Sequence, residues 1–280
     1  MKTISSIYSL RKFLAPYRAK GRSIGFVPTM GALHDGHLAL IRRCRKENDL
    51  VVVSIFVNPT QFGPKEDFRA YPRNKKQDCA LAESASCDIV FAPSVAAMYP
   101  TEKGTTIDVP ELSQGLCGAK RPGHFQGVAT VVTKLFNIVQ PDQAYFGQKD
   151  YQQVAVIKQM VVDLNLPVCV HTVPTFREPD GLAMSSRNRY LTCGQRKEAP
   201  VIYRALQLAK TRISEGEQST AKIKALIRRA ITSTSGKIDY IECVNAQTLK
   251  PITRVQGKCV IAAAVIFGKA RLIDNIVLQI

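Results

Sequence analysis

The hydrophobic positions in the first half of the chain predict alternating strands and helices. Leu50–Val57 is a continuous apolar, β-branched run, typical of a parallel strand that is covered on both faces. Shorter apolar runs and segments with a helical pattern follow one another around it. The predicted strands are Ile24–Thr29, Leu50–Val57, Asp88–Ala92, Ala144–Phe146 and Val168–Val173, and the predicted helices are His37–Asn48, Lys75–Ser84, Gln126–Val139 and Tyr151–Asn165.

This alternation predicts an α/β fold, with a Rossmann-like, doubly wound parallel sheet over residues 1–178. After Pro179-Asp180-Gly181 the pattern changes, and residues 179–280 are predicted to form a smaller C-terminal α+β domain. Its expected elements are a helix from about Gln195 to Ser214 with Thr192 as its cap, a helix over Thr220–Thr232, strands at Ile238–Val244, Cys259–Phe267 and Ala270–Ile273, and a turn at Gly268-Lys269.

Composition and charge narrow the class of protein. The net charge of +17 fits nucleic acid, an anionic membrane or polyphosphate substrates. Lysine and arginine are spread along the chain, however, and no RNA-binding signature with interleaved aromatic residues occurs, so we predict no nucleic-acid partner. No apolar stretch approaches the roughly 20 residues of a membrane span, and no apolar signal core follows Lys2, which predicts a cytosolic protein without a membrane partner.

The eight cysteines lie far apart and form no C-x-x-C pair. In a chain of this length without a signal peptide, we expect reduced thiols instead of a disulfide framework or a metal cluster.

The loop after the first long strand carries an unusual motif. No G-x-x-x-x-G-K-[ST] or G-x-G-x-x-G occurs, but Pro28–His37 reads PTMGALHDGH. This loop belongs at the carboxyl edge of the sheet, where ligands bind in open α/β sheets. We expect Asp35 to cap the next helix and His37 to lie in its first turn, where the helix dipole favours anions. His34 and His37, three residues apart, can face the same way and donate to phosphate oxygens.

An H-x-G-H motif after a first strand is similar to that of the HxGH nucleotidylyl-transferase superfamily. Six further blocks in order narrow the resemblance to the pantoate–β-alanine ligase family over about residues 20 to 276. The seven blocks are VPTMGALHDGH (27–37), VSIFVNPTQF (53–62), RPGHFQGV (121–128), FGQKDYQQ (146–153), VPTFRE (173–178), DGLAMSSRN (180–188) and ARLIDN (270–275).

The resemblance implies an AMP-forming ligase of pantothenate biosynthesis that joins D-pantoate to β-alanine in two steps. ATP and pantoate would first give a pantoyl adenylate and pyrophosphate, and the β-alanine amine would then displace AMP. Mg²⁺ would bridge the ATP phosphates, with no protein side chain assigned as a metal ligand. The resemblance also implies a homodimer, and a C-terminal domain that covers the ATP site.

The resemblance assigns site residues by position. His34, His37 and Lys149 are the expected catalytic residues. The resemblance implies that His37 is a proton donor, whereas its position in the first turn of a helix favours a role in stabilising phosphate charge. Asn58, Gln61 and Gln153 are expected to bind pantoate and β-alanine. The expected ATP-binding residues are Met30, Gly31, Ala32, Leu33, His34, Asp35, Gly36, His37, Gly147, Gln148, Lys149, Asp150, Phe176, Met184, Ser185, Ser186 and Arg187.

Several residues keep open interpretations. Arg121 and His124 belong to one of the blocks, but the sequence assigns them no contact, and His171 is expected to be structural. The family usually has Glu at Gln148 and often a charged residue at Gln126. The alternatives are another HxGH enzyme with a phosphate-bearing acceptor, which the neutral Asn58, Gln61 and Gln153 disfavour, and a basic nucleic-acid-binding protein.

Overall fold

The structure, a computed structural model, describes residues 1–64, 66–101 and 104–280. The chain divides into two compact units. Unit 1 comprises Met1–Ser113, Arg121–Gly147 and Gln153–Pro174, and unit 2 comprises Gln114–Lys120, Gln148–Gln152 and Thr175–Ile280. The long part of unit 2 thus begins four residues before the second domain that we predict from the sequence.

Unit 1 contains a parallel sheet, as predicted, and the sheet has six strands in the order β1-β4-β3-β2-β5-β6. The order reverses at β2, which pairs with β3 on one side and β5 on the other, and ligands of doubly wound sheets bind at such a switch point. Its strands are β1 (Lys2–Ile4), β2 (Ile24–Thr29), β3 (Leu50–Ile55), β4 (Ile89–Phe91), β5 (Gln143–Gly147) and β6 (Cys169–Val173).

Helices flank this sheet and complete its core. Central strand residues such as Val27, Val51 and Val53 are inaccessible to solvent and pack with Ile41 of a flanking helix. The helices outside unit 2 are α1 (Ile7–Ala19), α2 (Asp35–Glu47), α3 (Lys75–Ser84), α4 (Val95–Met98), α5 (Pro110–Ser113) and α7 (His124–Val139), and α8 (Tyr151–Asp163) runs from unit 2 into unit 1. The sequence pattern missed β1 and α1.

Unit 2 contains a three-stranded antiparallel sheet in the order β7-β8-β9, which confirms the predicted smaller domain class. Its elements are α6 (Leu116–Lys120), α9 (Cys193–Glu198), α10 (Val201–Ser214), α11 (Thr220–Thr232), β7 (Lys237–Asn245), β8 (Lys258–Phe267) and β9 (Ala270–Gln279). Strand β9 is six residues longer than predicted, because the polar Asp274 and Asn275 lie buried inside it and interrupt the apolar pattern.

The single helix predicted from Gln195 to Ser214 is wrong. Two helices, α9 and α10, occupy this stretch and are interrupted at Ala199-Pro200. Proline has no backbone N–H to donate within a helix, which favours a break at this point. The predicted cap is confirmed, since the Thr192 hydroxyl accepts from the backbone N–H of Gln195, which reciprocates in a capping box.

All eight cysteines are free thiols. Among the described residues, no helix combines the length and the apolar character needed to cross a membrane.

Candidate active site

The loop between β2 and α2 is fixed by a buried carboxylate. Gly31 and Ala32 both have positive φ, at 80° and 50°. The Asp78 side chain on α3, only 3% exposed, accepts hydrogen bonds from the backbone N–H groups of Ala32 at 3.0 Å and Leu33 at 2.8 Å. A Cβ on Gly31 would lie 2.9 Å from an Asp78 oxygen, so this position requires glycine. One buried carboxylate therefore holds two consecutive backbone N–H groups of the loop.

The two histidines of the motif face the same way, as predicted. Their ring centroids are 4.1 Å apart. His34 is the N-cap residue of α2 and His37 lies in the first turn of that 13-residue helix. The prediction that Asp35 caps the helix is wrong: the chain becomes helical one residue earlier, and Asp35 is the first helical residue, exposed to solvent. The imidazoles thus lie at the positive end of a helix dipole, a position that favours anions.

The turn after β3 brings two predicted site residues together with the histidine loop. Asn58 is fully buried, and its Nδ2 donates to the Gln61 side-chain oxygen at 3.2 Å and to the Gly127 carbonyl at 3.1 Å. Its Oδ1 accepts from the Tyr99 hydroxyl at 2.8 Å. The Gln61 Nε2 donates to the Met30 sulfur at 2.9 Å. The amide of Asn58 is thus engaged within the protein, and Asn58 orients Gln61.

The block RPGHFQGV, which includes the start of α7 and the three residues before it, supports this turn. A Cβ on Gly127 would lie 2.4 Å from the Thr60 carbonyl oxygen, so the helix and the turn are in direct backbone contact. His124 contacts the Gln61 carbonyl, and Arg121 pairs with Glu66. The structure therefore assigns contacts to Arg121 and His124, for which the sequence indicates none.

In unit 2, a strand side chain fixes the backbone that carries Lys149. Residues Gln148–Asp150 form one turn of 3₁₀ helix. The buried Asn275 of β9 donates through Nδ2 to the carbonyl oxygens of Gln148 at 3.0 Å and Lys149 at 2.9 Å. The Lys149 side chain is 18% exposed, and its Nζ lies 3.4 Å from an Asp150 oxygen. The ammonium group is thereby held near the surface of a small pocket of unit 2.

That pocket is lined by Lys149 and Ser185, among other residues. The Ser185 hydroxyl caps the 3₁₀ helix Ser186–Tyr190 by accepting from the backbone N–H of Arg187 at 3.3 Å. The Met184 N–H donates to the Phe176 carbonyl at 3.0 Å. Unit 2 thus contains predicted site residues from three sequence blocks: Lys149 and Ser185 line the same pocket, and Met184 is hydrogen-bonded to Phe176.

An ion pair between Arg177 and Asp274 lies next to Asn275 in unit 2. Arg177 donates twice to Asp274, at 2.6 and 3.0 Å, and its guanidinium lies 3.7 Å from the centroid of the Tyr203 ring. Burial raises the pKa of the Asp274 carboxyl above its ordinary value, although Arg177 acts against this rise. Asp274 also accepts from the N–H of Asn275 at 2.8 Å, so the pair orients the residue that holds the Lys149 backbone.

The remaining predicted residues have simpler surroundings. Gly147 ends β5, and Gln153 is half-buried on the part of α8 that belongs to unit 1. Gln126 is exposed on α7. His171 stacks on Tyr145 with 4.9 Å between ring centroids. The described residues include no group of three His, Cys, Asp or Glu side chains that could hold a metal ion.

Sequence reasoning missed four residues that support the predicted site: Asp78, Tyr99, Asp274 and Asn275. Asp78 lies in a mostly exposed helix and gives no local signal. A signal did exist for Asp274 and Asn275, because two polar residues inside an otherwise apolar strand need buried partners.

A sequence profile described as pantoate–β-alanine ligase matches residues 2–277. The chain belongs to the pantoate–β-alanine ligase family. A relative named pantothenate synthetase from Moorella thermoacetica is 53% identical over 281 residues, covering 100% of this chain and 99% of the relative. A relative of the same name from Caldicellulosiruptor saccharolyticus is also 53% identical, with full coverage of both chains.

Solved structures of pantoate–β-alanine ligases share the fold. The crystal structure of pantothenate synthetase from Thermus thermophilus has a TM-score of 0.94 at 47% identity and covers 99% of each chain. The ligase from Francisella tularensis, complexed with β,γ-ATP and β-alanine, has a TM-score of 0.81 at 37% identity and covers 99% of this chain and 97% of that one. This protein is therefore an enzyme of the ligase class.

Proposed function

We propose that the enzyme condenses D-pantoate with β-alanine at the expense of ATP, through a pantoyl adenylate, and releases AMP and pyrophosphate. The contact between Gln61 and Met30 carries the proposal. It places a neutral amide, suited to the hydroxyl groups of pantoate, directly beside the loop whose histidines favour phosphate. Adenylation requires the pantoate carboxylate to lie next to the α-phosphate of ATP, and adjacent sites for the acid and the phosphates would provide this.

In the first step, a carboxylate oxygen of pantoate attacks the α-phosphorus of ATP. The bond between the α-phosphorus and the bridging oxygen breaks, and pyrophosphate leaves with the electron pair. His34, His37, Lys149 and Arg187 stabilise the charge on the phosphate oxygens through donated hydrogen bonds. Mg²⁺, entering with the nucleotide, would supply further positive charge near the same oxygens.

In the second step, the free amine of β-alanine attacks the acyl carbon of the adenylate. The C–N bond forms, the C–O bond to the phosphate breaks, AMP leaves with the electron pair, and the proton lost from the nitrogen passes to solvent. No residue of the enzyme becomes acylated, so the protein contributes position and charge stabilisation. The carboxamide of Gln148 is not basic, so Gln148 does not deprotonate the amine.

Neutral side chains argue against a phosphate-bearing acceptor. Asn58, Gln61 and Gln153 carry no charge, and Asn58 and Gln61 are held by hydrogen bonds within unit 1. A site for a second phosphate would gain from arginine or lysine at these positions. The homodimer, the cytosolic location and the covering of ATP by the second domain remain predictions from the sequence.

An isotope experiment tests the adenylate. Pantoate labelled with ¹⁸O in its carboxylate should transfer one labelled oxygen to AMP, because the acyl C–O bond breaks in the second step. The other labelled oxygen should stay in the amide. Unlabelled AMP, or formation of ADP and phosphate instead of AMP and pyrophosphate, would contradict the proposal.

A further inference from the structure

An ion pair between Arg121 and Glu66 lies next to the Asn58–Gln61 turn. Arg121 Nε donates to one Glu66 oxygen at 2.6 Å and Nη2 donates to the other at 2.5 Å. The two side chains are only 16% and 25% exposed. Burial raises the pKa of the Glu66 carboxyl, but the hydrogen bonds and charge of Arg121 outweigh this effect, and the pKa lies below its ordinary value. The pair is therefore ionised and fixes the plane of the guanidinium.

The neighbours of His124 determine which ring nitrogen carries the proton. Its Nε2 lies 3.0 Å from Nη1 of Arg121, and its Nδ1 lies 2.7 Å from the carbonyl oxygen of Gln61. A guanidinium can only donate and a carbonyl can only accept. The neutral ring with hydrogen on Nδ1 satisfies both contacts. A proton on Nε2 would place two donors against each other.

These contacts converge on the backbone of a proposed substrate-binding residue. Arg121 Nη2 also approaches the Gln61 carbonyl, at 3.4 Å. Gly127, three residues after His124, is in contact with the same turn through the backbone. Arg121 and the first turn of α7 thus fix the backbone of Gln61, while Asn58 and Met30 fix its side-chain amide.

We propose that Arg121 and His124 are positioning residues for pantoate: Glu66 orients Arg121, Arg121 selects the Nδ1–H tautomer of His124, and His124 holds Gln61 in the conformation that reads the acid. This inference rests on the proposed function. Its contribution belongs to pantoate binding and leaves ATP binding unchanged, because the part of the histidine loop at Ala32 and Leu33 is held by Asp78 and not by Gln61.

The kinetic test uses two substitutions of one residue. His124→Asn keeps an N–H donor near the Nδ1 position, whereas His124→Leu keeps apolar volume and loses the donor. Pantoate-dependent ATP–pyrophosphate exchange should show a pantoate KM raised roughly tenfold in His124→Leu, with the ATP KM within about twofold, and recovery to within about threefold in His124→Asn. His171→Leu, a histidine of the same unit, is the matched control and should leave the pantoate KM unchanged.

The outcomes separate this inference from the proposed function. If the wild-type protein shows no pantoate-dependent exchange, the proposed function fails. If the wild type is active but His124→Leu leaves the pantoate KM unchanged, or raises both KM values equally, the positioning role is wrong. Should His124→Leu fail to fold, Arg121→Lys repeats the test, since lysine keeps the charge and loses the fork that orients His124.

A spectroscopic test needs no substrate. With ¹⁵N-labelled histidine, long-range ¹H–¹⁵N correlation distinguishes the two neutral tautomers, and the spectrum contains only four histidines. The signal lost in His124→Asn identifies His124. At pH 7 it should show the Nδ1–H pattern. An Nε2–H or doubly protonated pattern would overturn the relay from Arg121 to Gln61.

Discussion

The Asn58–Gln61 turn of unit 1 and the Gln148–Asp150 turn of unit 2 are held by similar devices but present opposite chemistry. The first offers a neutral amide, whose backbone is fixed by His124 and Arg121. The second offers the ammonium group of Lys149 on a backbone fixed by Asn275.

In each case a bidentate arginine–carboxylate pair lies behind the support, Arg121–Glu66 in unit 1 and Arg177–Asp274 in unit 2. In both units, therefore, a largely buried ion pair helps to hold the turn in position. In the proposed function, specificity comes from the group that each turn presents, a hydrogen-bonding amide for the acid and a positive charge for the phosphates.

The largest effects should follow from removing donors to phosphate. Lys149→Ala and His37→Ala should each slow adenylation by roughly 10²–10³-fold, the usual cost of one preorganised donor. The second half-reaction, started from supplied pantoyl adenylate, should suffer much less. Lys46→Ala, at an exposed position of α2, is the control. Equal losses in both half-reactions would show that the two residues are misassigned.

Removing the amide of Gln61 should weaken the binding of pantoate. Gln61→Ala should raise the pantoate KM by about 10–100-fold, because a site built around hydroxyl groups loses its hydrogen bonds. The ATP KM should stay nearly constant. Gln77→Ala, an exposed glutamine of α3, is the matched control. Weakened ATP binding with an unchanged pantoate KM would show that Gln61 serves ATP and not pantoate.

Loss of the support in unit 2 should resemble a weaker loss of Lys149. Asn275→Ala removes two hydrogen bonds to the carbonyl oxygens of Gln148 and Lys149 and should raise the ATP KM roughly tenfold. Asn275→Asp should be at least as harmful, because a carboxylate would face those carbonyl oxygens. Steady-state kinetics with each substrate varied will decide, and a change confined to the pantoate KM would contradict the assignment.

The departure at Gln148 should have a small effect. Gln148→Glu should change kcat by less than about tenfold, or under ~1.4 kcal/mol in barrier height, if the position serves as a polar neighbour of the nucleotide. Any change should appear in the ATP KM, since a negative charge near the triphosphate is unfavourable. Acceleration of amide formation by a hundredfold, with a new acidic pKa in that step alone, would instead assign a general base to this position.

The smallest effect concerns stability against acid. Despite partial burial, Arg121 holds the pKa of Glu66 below its ordinary value, so the pair stabilises the fold at neutral pH and the contribution is lost as the pH falls through the folded-state value. Glu66→Gln should therefore reduce the free energy of unfolding at pH 7 by about 1 kcal/mol or less, and by a smaller amount near pH 3. Urea unfolding at both pH values measures this, and an equal loss at both would exclude the ion pair as the cause.

Local sequence signals predicted much of the fold and the positions of the site blocks. Regular elements such as α3 were predicted to the residue, and the histidine loop was placed after β2. The break at Pro200 was missed because the helical pattern was extended across it. Strand β9 was predicted to end at Ile273 because the buried polar pair Asp274-Asn275 interrupts its apolar pattern.

The supports could not be predicted from local signals. Asp78 and the Ala32 N–H, or His124 and the Gln61 carbonyl, are separated by 46 and 63 positions along the chain. Only the fold brings these groups into hydrogen-bonding distance.

The exchange of pyrophosphate into ATP tests the central claim most directly. Labelled pyrophosphate should enter ATP when the enzyme has D-pantoate and Mg²⁺ but no β-alanine, because the adenylate forms before the amine takes part. Omission of D-pantoate should abolish the exchange. Exchange that proceeds equally without pantoate, or only when β-alanine is present, would contradict a reaction through pantoyl adenylate.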